Sequence, residues 1–219
     1  PVNGVQTCAL PIYSRYAMNE TIIDLETETR SGLKIPKRPK VRHGAFQIYT
    51  GEGKGKSTAS LGLMLRALDS GMHVYYMRML KPRWKTGELK LCPEGFHPNL
   101  TFRNVPHYWA LCVSKTIPED VEAMKEKMKP EMEDFHQQVR SGKYDLIIAD
   151  EINYCIHREL ISLKKALEIV DDRPSHVELV FTGRHAKPEL IEKADLVTEM
   201  RKVKHHFDQG IRARIGIEF

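Results

Sequence analysis

The stretch from Ile48 to Ser60, IYTGEGKGKSTAS, combines three closely spaced glycines with a lysine and a serine at the start of an apolar periodic segment. Glycine tolerates the dihedral angles that turn consecutive backbone N–H groups toward one anion, and a following helix adds its N-terminal dipole. In such a loop Lys56 supplies a positive charge for phosphate oxygens, and the Ser57 hydroxyl is placed to bind Mg²⁺. A glycine-rich turn with incidental lysines is the alternative. The Gly-Lys-Ser-Thr sequence at the predicted helix start favours a nucleotide site.

We predict that eight consecutive residues of this loop bind the nucleotide: Gly51, Glu52, Gly53, Lys54, Gly55, Lys56, Ser57 and Thr58. The spacing differs from the usual pattern G-x-x-x-x-G-K-[ST], which places its first glycine where this chain has Thr50. Lys54 is expected to lie along the phosphates, and a solvated turn is its alternative role. The loop pattern alone leaves open which chemistry accompanies the shifted glycine.

A second group of candidate residues follows the most apolar segment of the chain, YDLIIAD. Asp150 and Glu151 come at the end of this predicted buried strand, where carboxylates of nucleotide-binding α/β proteins hold a magnesium ion. Acids at strand ends also occur in ordinary solvated turns, so the prediction depends on the phosphate loop. Ser57, Asp150 and Glu151 are the predicted metal ligands, and the sequence does not choose between the two acids.

The segments that must position these residues alternate between strand and helix patterns. Strands are predicted at 45–50, 73–79, 100–105, 144–150, 177–182 and 196–203. Helices are predicted at 57–70, 118–141, 162–171 and 188–194. This alternation predicts an α/β fold in which helices sandwich a mostly parallel sheet, of the P-loop NTPase (RecA-like) type.

Length and composition limit the class of protein. The chain has 219 residues, enough for one sizeable core, and its net charge of +5 fits nucleotides as readily as nucleic acid. Four cysteines, at positions 8, 92, 112 and 155, show no C-x-x-C spacing and are predicted to be free thiols of a cytoplasmic protein. No apolar run reaches the roughly 18 residues of a transmembrane helix, so no membrane partner is expected.

The chain is predicted to have three parts. Residues 1–14 contain GVQTCALPI, which resembles the translation of a sequencing-library adapter, and we expect them not to be native. Residues 15–43 are a polar, basic arm interrupted by Pro36 and Pro39. Residues 44–219 are the predicted catalytic domain.

Four stretches of the chain resemble the ATP:corrinoid adenosyltransferases that act on cob(I)yrinic acid a,c-diamide and cobalamin: TGEGKGKSTASLGLMLRAL, DLIIADEINY, VFTGRHAKPELIEKADLVTEM and VKHHFDQGIRARIGIEF. The last is far more specific than the phosphate loop. The resemblance implies transfer of the 5′-deoxyadenosyl group of ATP to Co(I) of a corrinoid, with release of triphosphate and with Mg²⁺ as cofactor. The loop form G-x-G-K-G-K-[ST] belongs to this family, so the shifted glycine accompanies a reaction away from the γ-phosphate.

The resemblance also implies roles for particular residues. Lys56 and Glu151 are the predicted catalytic residues. Arg184 is expected either to contact phosphate or ribose or to form a surface ion pair. Tyr108 and Trp109 lie where the family places aromatic side chains over the corrin, but the local sequence PHYWALCV departs from the family pattern G-F-T-W, and ordinary core aromatics are the alternative.

A further segment, KPRWKTGE (residues 81–88), resembles the family loop K-G-x-W-x-x-G-E, with Pro82 in place of its glycine. By the same resemblance we expect a homodimer and an electron-donating flavoprotein or reduced flavin as partner. Two other functions compete with this interpretation. A P-loop kinase or ATPase would transfer the γ-phosphoryl group, which the C-terminal motif argues against. A RecA-like nucleic-acid-binding ATPase would need a basic groove, whereas the positive charges here are spread among acids, so no nucleic-acid partner is expected.

Overall fold

The computed structural model of the chain describes residues 35–40, 43–81, 87–88, 97–105 and 118–218. The chain divides into two units, and the larger, Arg38–Phe219, contains the sheet and the helices that pack on it. The strands are β1 (Phe46–Thr50), β2 (Val74–Arg78), β3 (Leu100–Asn104), β4 (Leu146–Asp150), β5 (Glu178–Thr182) and β6 (Leu196–Glu199). The helices are α1 (Lys56–Asp69), α2 (Pro118–Arg140), α3 (Ile152–His157), α4 (Leu163–Asp171) and α5 (Pro188–Lys193), followed by a 3₁₀ helix (His206–Gln209).

The six strands form one sheet in the order β3-β2-β4-β5-β1-β6, and every pairing is parallel. The predicted α/β class with a parallel sheet is therefore confirmed. The register places Arg78 beside Asp150, and Tyr49 beside Thr182. Because all strands run in one direction, the loops after β1, β2, β4 and β5 emerge at the same edge of the sheet.

The central strands of the sheet are buried on both faces, as the alternation along β4 shows, whereas the edge strand β6 is exposed. Ile147 and Ala149 belong to the larger apolar cluster, which also contains side chains of α2, α3, α4 and α5. Leu146 and Ile148 belong to a smaller cluster with Met64 of α1. Successive strand residues point to opposite faces, so a strand covered on both sides is apolar throughout. This explains why YDLIIAD is the most apolar segment.

Phe181 is the residue whose truncation we expect to test this core. It is fully buried in β5, and its ring meets that of Phe46 edge to face with centroids 5.0 Å apart. Phe181→Ala should lower the free energy of unfolding by about 3–5 kcal/mol, because it removes apolar contacts and leaves a cavity. Denaturant unfolding followed by circular dichroism measures the loss. Val203→Ala is the control, since Val203 is 92% exposed and its truncation should change stability by less than about 0.5 kcal/mol. Equal losses in the two variants would contradict the core assignment.

The last strand and helix α3 differ from the sequence prediction, and the 3₁₀ helix at His206–Gln209 was not predicted either. The last strand was predicted to reach residue 203 but ends at Glu199, because its partner β1 ends at Thr50. Met200 N–H still donates to Thr50 O, but Met200 O accepts from Gly53 N–H in the loop. The chain thus turns across the phosphate loop. Helix α3 was not predicted, because its six residues are too few for a periodic pattern and Glu151 before it makes no side-chain cap.

Two sequence expectations concern membranes and thiols. Among the described residues, no helix combines the length and the apolar composition needed to cross a membrane. Cys155 is a free thiol, fully buried in α3. The other three cysteines lie outside the described residues.

Candidate active site

The loop between β1 and α1 is folded against the chain that follows β6. Gly51 has a φ of +94°, and a Cβ added there would lie 2.6 Å from Met200 O. The φ angle of Gly53 is not in the left-handed region, but a Cβ added there would also lie 2.6 Å from Met200 O. The Gly53 N–H donates to that same carbonyl over 2.6 Å. The shifted glycine thus has a steric reason, since only a residue without Cβ fits beside the Met200 backbone.

Gly53→Ala is expected to destabilise the protein by about 1–3 kcal/mol, because backbone atoms of the loop or of the Met200 segment must shift to admit the methyl group. The free energy of unfolding by denaturant measures this effect. The matched control is Gly62→Ala in α1, where an added Cβ meets no atom within 4 Å. That variant should be stabilised by about 0.5–1 kcal/mol, because alanine favours a helix interior over glycine. An unchanged stability of Gly53→Ala would show that the loop is not held by this close approach.

Lys56 begins α1 and points back into the loop. Its side chain is buried, and Nζ donates to Gly51 O over 2.6 Å and to Gly53 O over 2.7 Å. Burial lowers the pKa of Lys56, while the neighbouring Glu151 carboxylate raises it. The ammonium is therefore held inside the loop, at the position where an anion bound by the loop N–H groups would need a counter-charge.

Asp150 is the centre of a polar cluster at the edge of the sheet. Its Oδ1 accepts from Ser57 Oγ over 2.9 Å and from Thr182 Oγ1 over 2.6 Å. The Lys81 ammonium donates to Asp150 Oδ2 and to Ser57 Oγ. Burial raises the pKa of the Asp150 carboxyl, but the Lys81 charge and the hydrogen bonds from Lys81, Thr182 and Ser57 outweigh burial, so its pKa lies below the usual range. The carboxyl group of Asp150 is 1% exposed, and the lowered pKa favours its ionised form.

Glu151 occupies a different position from its neighbour. It has a left-handed backbone with φ of +71°, which turns the chain from β4 into α3, and its N–H donates to Thr182 Oγ1 over 3.0 Å. Its half-buried side chain lines the same cleft as Lys56. Burial raises the pKa of the Glu151 carboxyl, and the neighbouring Asp150 carboxylate raises it further. The Lys81 ammonium lowers it by less, so the pKa of Glu151 lies above its usual value. The structure thus brings Asp150, and not Glu151, within hydrogen-bond distance of Ser57.

Three residues of this site had no role assigned from the sequence. Thr182 ends β5 and joins Asp150 to the Glu151 backbone. Lys81 follows β2 and reaches Asp150 on the adjacent strand. Arg78, fully buried at the end of β2, donates to Asn104 Oδ1 over 3.1 Å and pairs with Glu88 over 3.3 Å. The signal available in the sequence was their position at strand ends, which a parallel sheet brings to one edge.

The cleft beside this cluster has a volume of about 850 Å³, within the range of small-molecule sites. The loop residues from Glu52 to Thr58 line it, together with Leu61, Met64, Leu65, Lys81, Gly87, Glu88, Glu151, Arg184, His205, Gly216, Ile217 and Glu218. Its wall thus includes the C-terminal segment that carries the most specific sequence motif.

The remaining predicted residues lie at the mouth of the cleft or outside the described chain. Arg184 pairs with Glu52 over 2.8 Å, with both side chains half exposed. Lys54 pairs with Glu218 over 3.0 Å, so the C-terminal segment contacts the loop directly. A hydrogen bond from Arg214 lowers the pKa of Glu218 well below its usual value. Tyr108 and Trp109 lie outside the described residues.

The chemistry of the cluster fits a magnesium ion. In the part of the chain that the structure describes, no group of three or more His, Cys, Asp or Glu side chains could hold a metal on its own. Mg²⁺ in nucleotide sites uses only one or two protein oxygens and takes its other ligands from phosphates and water. Ser57 Oγ and Asp150 are such oxygen donors, and the Lys81 ammonium on both shows that they accept a cation.

Comparisons with known proteins identify similar sequences over most of the chain. The model of the family described as ATP:corrinoid adenosyltransferase BtuR/CobO/CobP matches residues 42–219. A corrinoid adenosyltransferase from Sinorhizobium sp. is 32% identical over 203 residues, covering 88% of this chain and 92% of that protein. Corrinoid adenosyltransferases from Pseudomonas aeruginosa and Escherichia coli K12 are 33% and 29% identical, each covering 80% of this chain and, respectively, 84% and 86% of their own lengths.

Proposed function

The chain belongs to the ATP:corrinoid adenosyltransferase family, whose members adenosylate corrinoids, and we propose that it transfers the 5′-deoxyadenosyl group of ATP to Co(I) of a corrinoid and releases triphosphate. The observation that carries this proposal is the position of Lys56. Its buried ammonium lies in the glycine loop, at one end of a cleft whose wall includes the C-terminal family motif. The predicted phosphate loop and the most specific sequence signature thus line one cavity.

The reaction is a displacement at C5′ of ATP. An electron pair of Co(I) attacks C5′, the Co–C bond forms as the C5′–O bond breaks, and triphosphate leaves with the electrons of that bond. Co(I) carries no proton to remove, so the protein needs no base to activate it. The protein must instead orient the reactants and stabilise the charge that develops on the departing triphosphate.

Lys56 and the loop N–H groups are suited to that task. The Lys56 ammonium is desolvated, and a charge in a water-poor site interacts more strongly with phosphate than one in water. Its present acceptors are two neutral carbonyl oxygens, Gly51 O and Gly53 O. Phosphate oxygens are stronger acceptors, so the ammonium can exchange these bonds for charge-assisted ones without a large movement.

We assign Mg²⁺ to Ser57 and Asp150, with Glu151 as a second candidate acid on the cleft wall. When bound there, the ion would neutralise part of the triphosphate charge. Lys56 and Glu151 are the proposed catalytic residues, and the eight loop residues and Arg184 are the proposed nucleotide contacts. Tyr108 and Trp109 stay candidates for the corrin face.

Other parts of the proposal come from the family resemblance alone. They are a homodimer and a flavoprotein or reduced flavin that supplies electrons to cobalt; the cytoplasmic location is proposed from the cysteine pattern. The division into a non-native segment 1–14, an arm 15–43 and a catalytic domain 44–219 likewise stays a prediction.

An anaerobic assay tests the reaction directly. MgATP is mixed with chemically reduced cobalamin, the absorbance of Co(I) is followed, and the phosphate products are separated. We expect loss of the Co(I) absorbance together with equimolar triphosphate and a light-sensitive Co–C product. Release of ADP and phosphate without regard to the corrinoid would instead establish γ-phosphoryl transfer and overturn the proposal.

A further inference from the structure

The ammonium of Lys81 lies on the same two side chains that the proposed function assigns to the metal. It donates to Ser57 Oγ and to Asp150 Oδ2. The Ser57 hydroxyl gives its proton to Asp150 Oδ1, so the electron pair that accepts from Lys81 is the kind that would bind a metal ion. The Lys81 side chain is 19% exposed and lines the cleft, whereas the Asp150 side chain is 1% exposed. The lysine therefore reaches the carboxylate from the cleft side.

We propose that Lys81 is the internal counter-ion of this site, and that its ammonium and a divalent cation occupy the Ser57–Asp150 pair in alternation. The inference rests on the proposed function, because it takes these two residues as the metal ligands. Magnesium binds oxygen at about 2.0–2.1 Å, and a charge-assisted N–H···O bond spans about 2.7–2.9 Å. Two cations at such distances from the same oxygens would overlap or repel strongly. Lys81 must therefore leave when the metal arrives.

The resident lysine has a clear electrostatic role. A buried carboxylate without a positive partner is costly, and the hydrogen bonds that Asp150 receives from Ser57 and Thr182 come from neutral hydroxyl groups. Lys81 supplies a positive charge in direct contact with this carboxylate, in addition to the attraction of the buried Arg78 guanidinium on the neighbouring strand. The Lys81 charge repels a second cation. Without nucleotide, the affinity of the Ser57–Asp150 pair for a divalent ion must therefore be lower than it would be if Lys81 were absent.

A nucleotide would relieve this competition. Lys81 lines the cleft that also contains Lys56 and Glu151, so its displaced ammonium stays within the site proposed for the triphosphate. Phosphate oxygens offer it charge-assisted hydrogen bonds in place of those it loses at Asp150. Metal and nucleotide should therefore bind cooperatively, with Lys81 as the positioning residue that links them.

Mn²⁺ provides the test, because its free concentration is measured directly by electron paramagnetic resonance. Lys81→Met removes the charge, and Lys81→Gln removes the charge but keeps a hydrogen-bond donor, which protects folding. Lys164→Met in α4 is the control, since that lysine is 87% exposed on another element. Without ATP, both Lys81 variants should bind Mn²⁺ at least about tenfold more tightly than the unmodified protein or the control.

A second readout separates competition from a general structural effect. Thermal unfolding should show a larger stabilisation by Mg²⁺ in Lys81→Gln than in the unmodified protein, since the ion replaces the missing counter-charge. Adding ATP should narrow the difference in Mn²⁺ affinity between the two proteins. Asp150→Asn in the Lys81→Gln background should abolish the gain.

Three results of the Mn²⁺ binding experiment would overturn the inference. Equal or weaker Mn²⁺ binding by both Lys81 variants would overturn it, whereas the proposed function is decided separately by the Co(I) assay on the unmodified protein. Tighter binding that survives Asp150→Asn would place the ion elsewhere and overturn it as well. Absence of Mn²⁺ binding in every protein, with and without ATP, would remove both this inference and the magnesium assignment.

Discussion

Lys56→Ala is expected to lower kcat for adenosyl transfer by about 10²–10³-fold, the loss typical of removing one preorganised group that stabilises transition-state charge. The Lys56 ammonium is buried within the loop, 2.6 Å from Gly51 O, and a neutral water in its place would not supply the positive charge. The effect should fall mainly on kcat, because charge on the triphosphate increases as the C5′–O bond breaks. The anaerobic Co(I) assay under saturating MgATP measures it.

The control for this variant must separate lost chemistry from lost folding. Removing Lys56 also leaves the carbonyls of Gly51 and Gly53 without its hydrogen bonds, so the free energy of unfolding is measured alongside. Lys54→Ala is the matched loop variant, because Lys54 is partly exposed and pairs with Glu218 outside the loop interior. We expect its loss of kcat to be much smaller. Near-normal turnover by a folded Lys56→Ala protein would refute the role assigned to Lys56.

Asp150→Asn is expected to reduce adenosyl transfer by about 10²-fold or more and to lower stability. The substitution removes the negative charge that Ser57, Thr182 and Lys81 surround. It also replaces one acceptor oxygen by an NH₂ group, which cannot accept the hydrogen bond that the carboxylate oxygen received. The loss of unfolding free energy should reach about 3 kcal/mol, the lower end for breaking a buried ion pair, because Lys81 keeps some contact with solvent. Denaturant unfolding and the Co(I) assay at increasing Mg²⁺ measure the two effects.

Glu151→Gln is the matched control for the neighbouring acid. Glu151 lines the cleft but makes no hydrogen bond to Ser57 among the described contacts, so its amide should preserve the cluster and most of the stability. Its effect on activity should be smaller than that of Asp150→Asn and should not increase the Mg²⁺ requirement. A larger Mg²⁺ dependence in Glu151→Gln than in Asp150→Asn would transfer the metal assignment to Glu151.

Local sequence was sufficient for the phosphate loop and for most of the fold. The glycines, Lys56 and Ser57 lie within seven adjacent positions, and their arrangement depends on dihedral preferences and on the helix start that follows. The central strands β2, β4 and β5 were predicted for a similar reason, because burial on both faces of a parallel sheet requires continuous apolar runs. Helix α3 was too short for such a signal.

The partners of the loop were decided by tertiary structure. Ser57 and Asp150 are 93 positions apart, and Thr182 is a further 32 beyond Asp150. Lys81 is 69 positions from Asp150, so no local sequence pattern connects the two residues. The parallel register brings these residues together at one edge of the sheet, and a single sequence carries no record of which strands become neighbours.

The family signature, the glycine loop and the two strand-terminal acids were thus determined by the sequence itself, since each is a run of adjacent residues. Tertiary structure alone decided that Met200 lies against Gly51 and Gly53, that Asp150 and not Glu151 meets Ser57, and that Lys81 supplies the counter-charge. The physical reason is the same in all three cases. Steric exclusion and electrostatic pairing act across space, between segments that only the folded sheet places in contact.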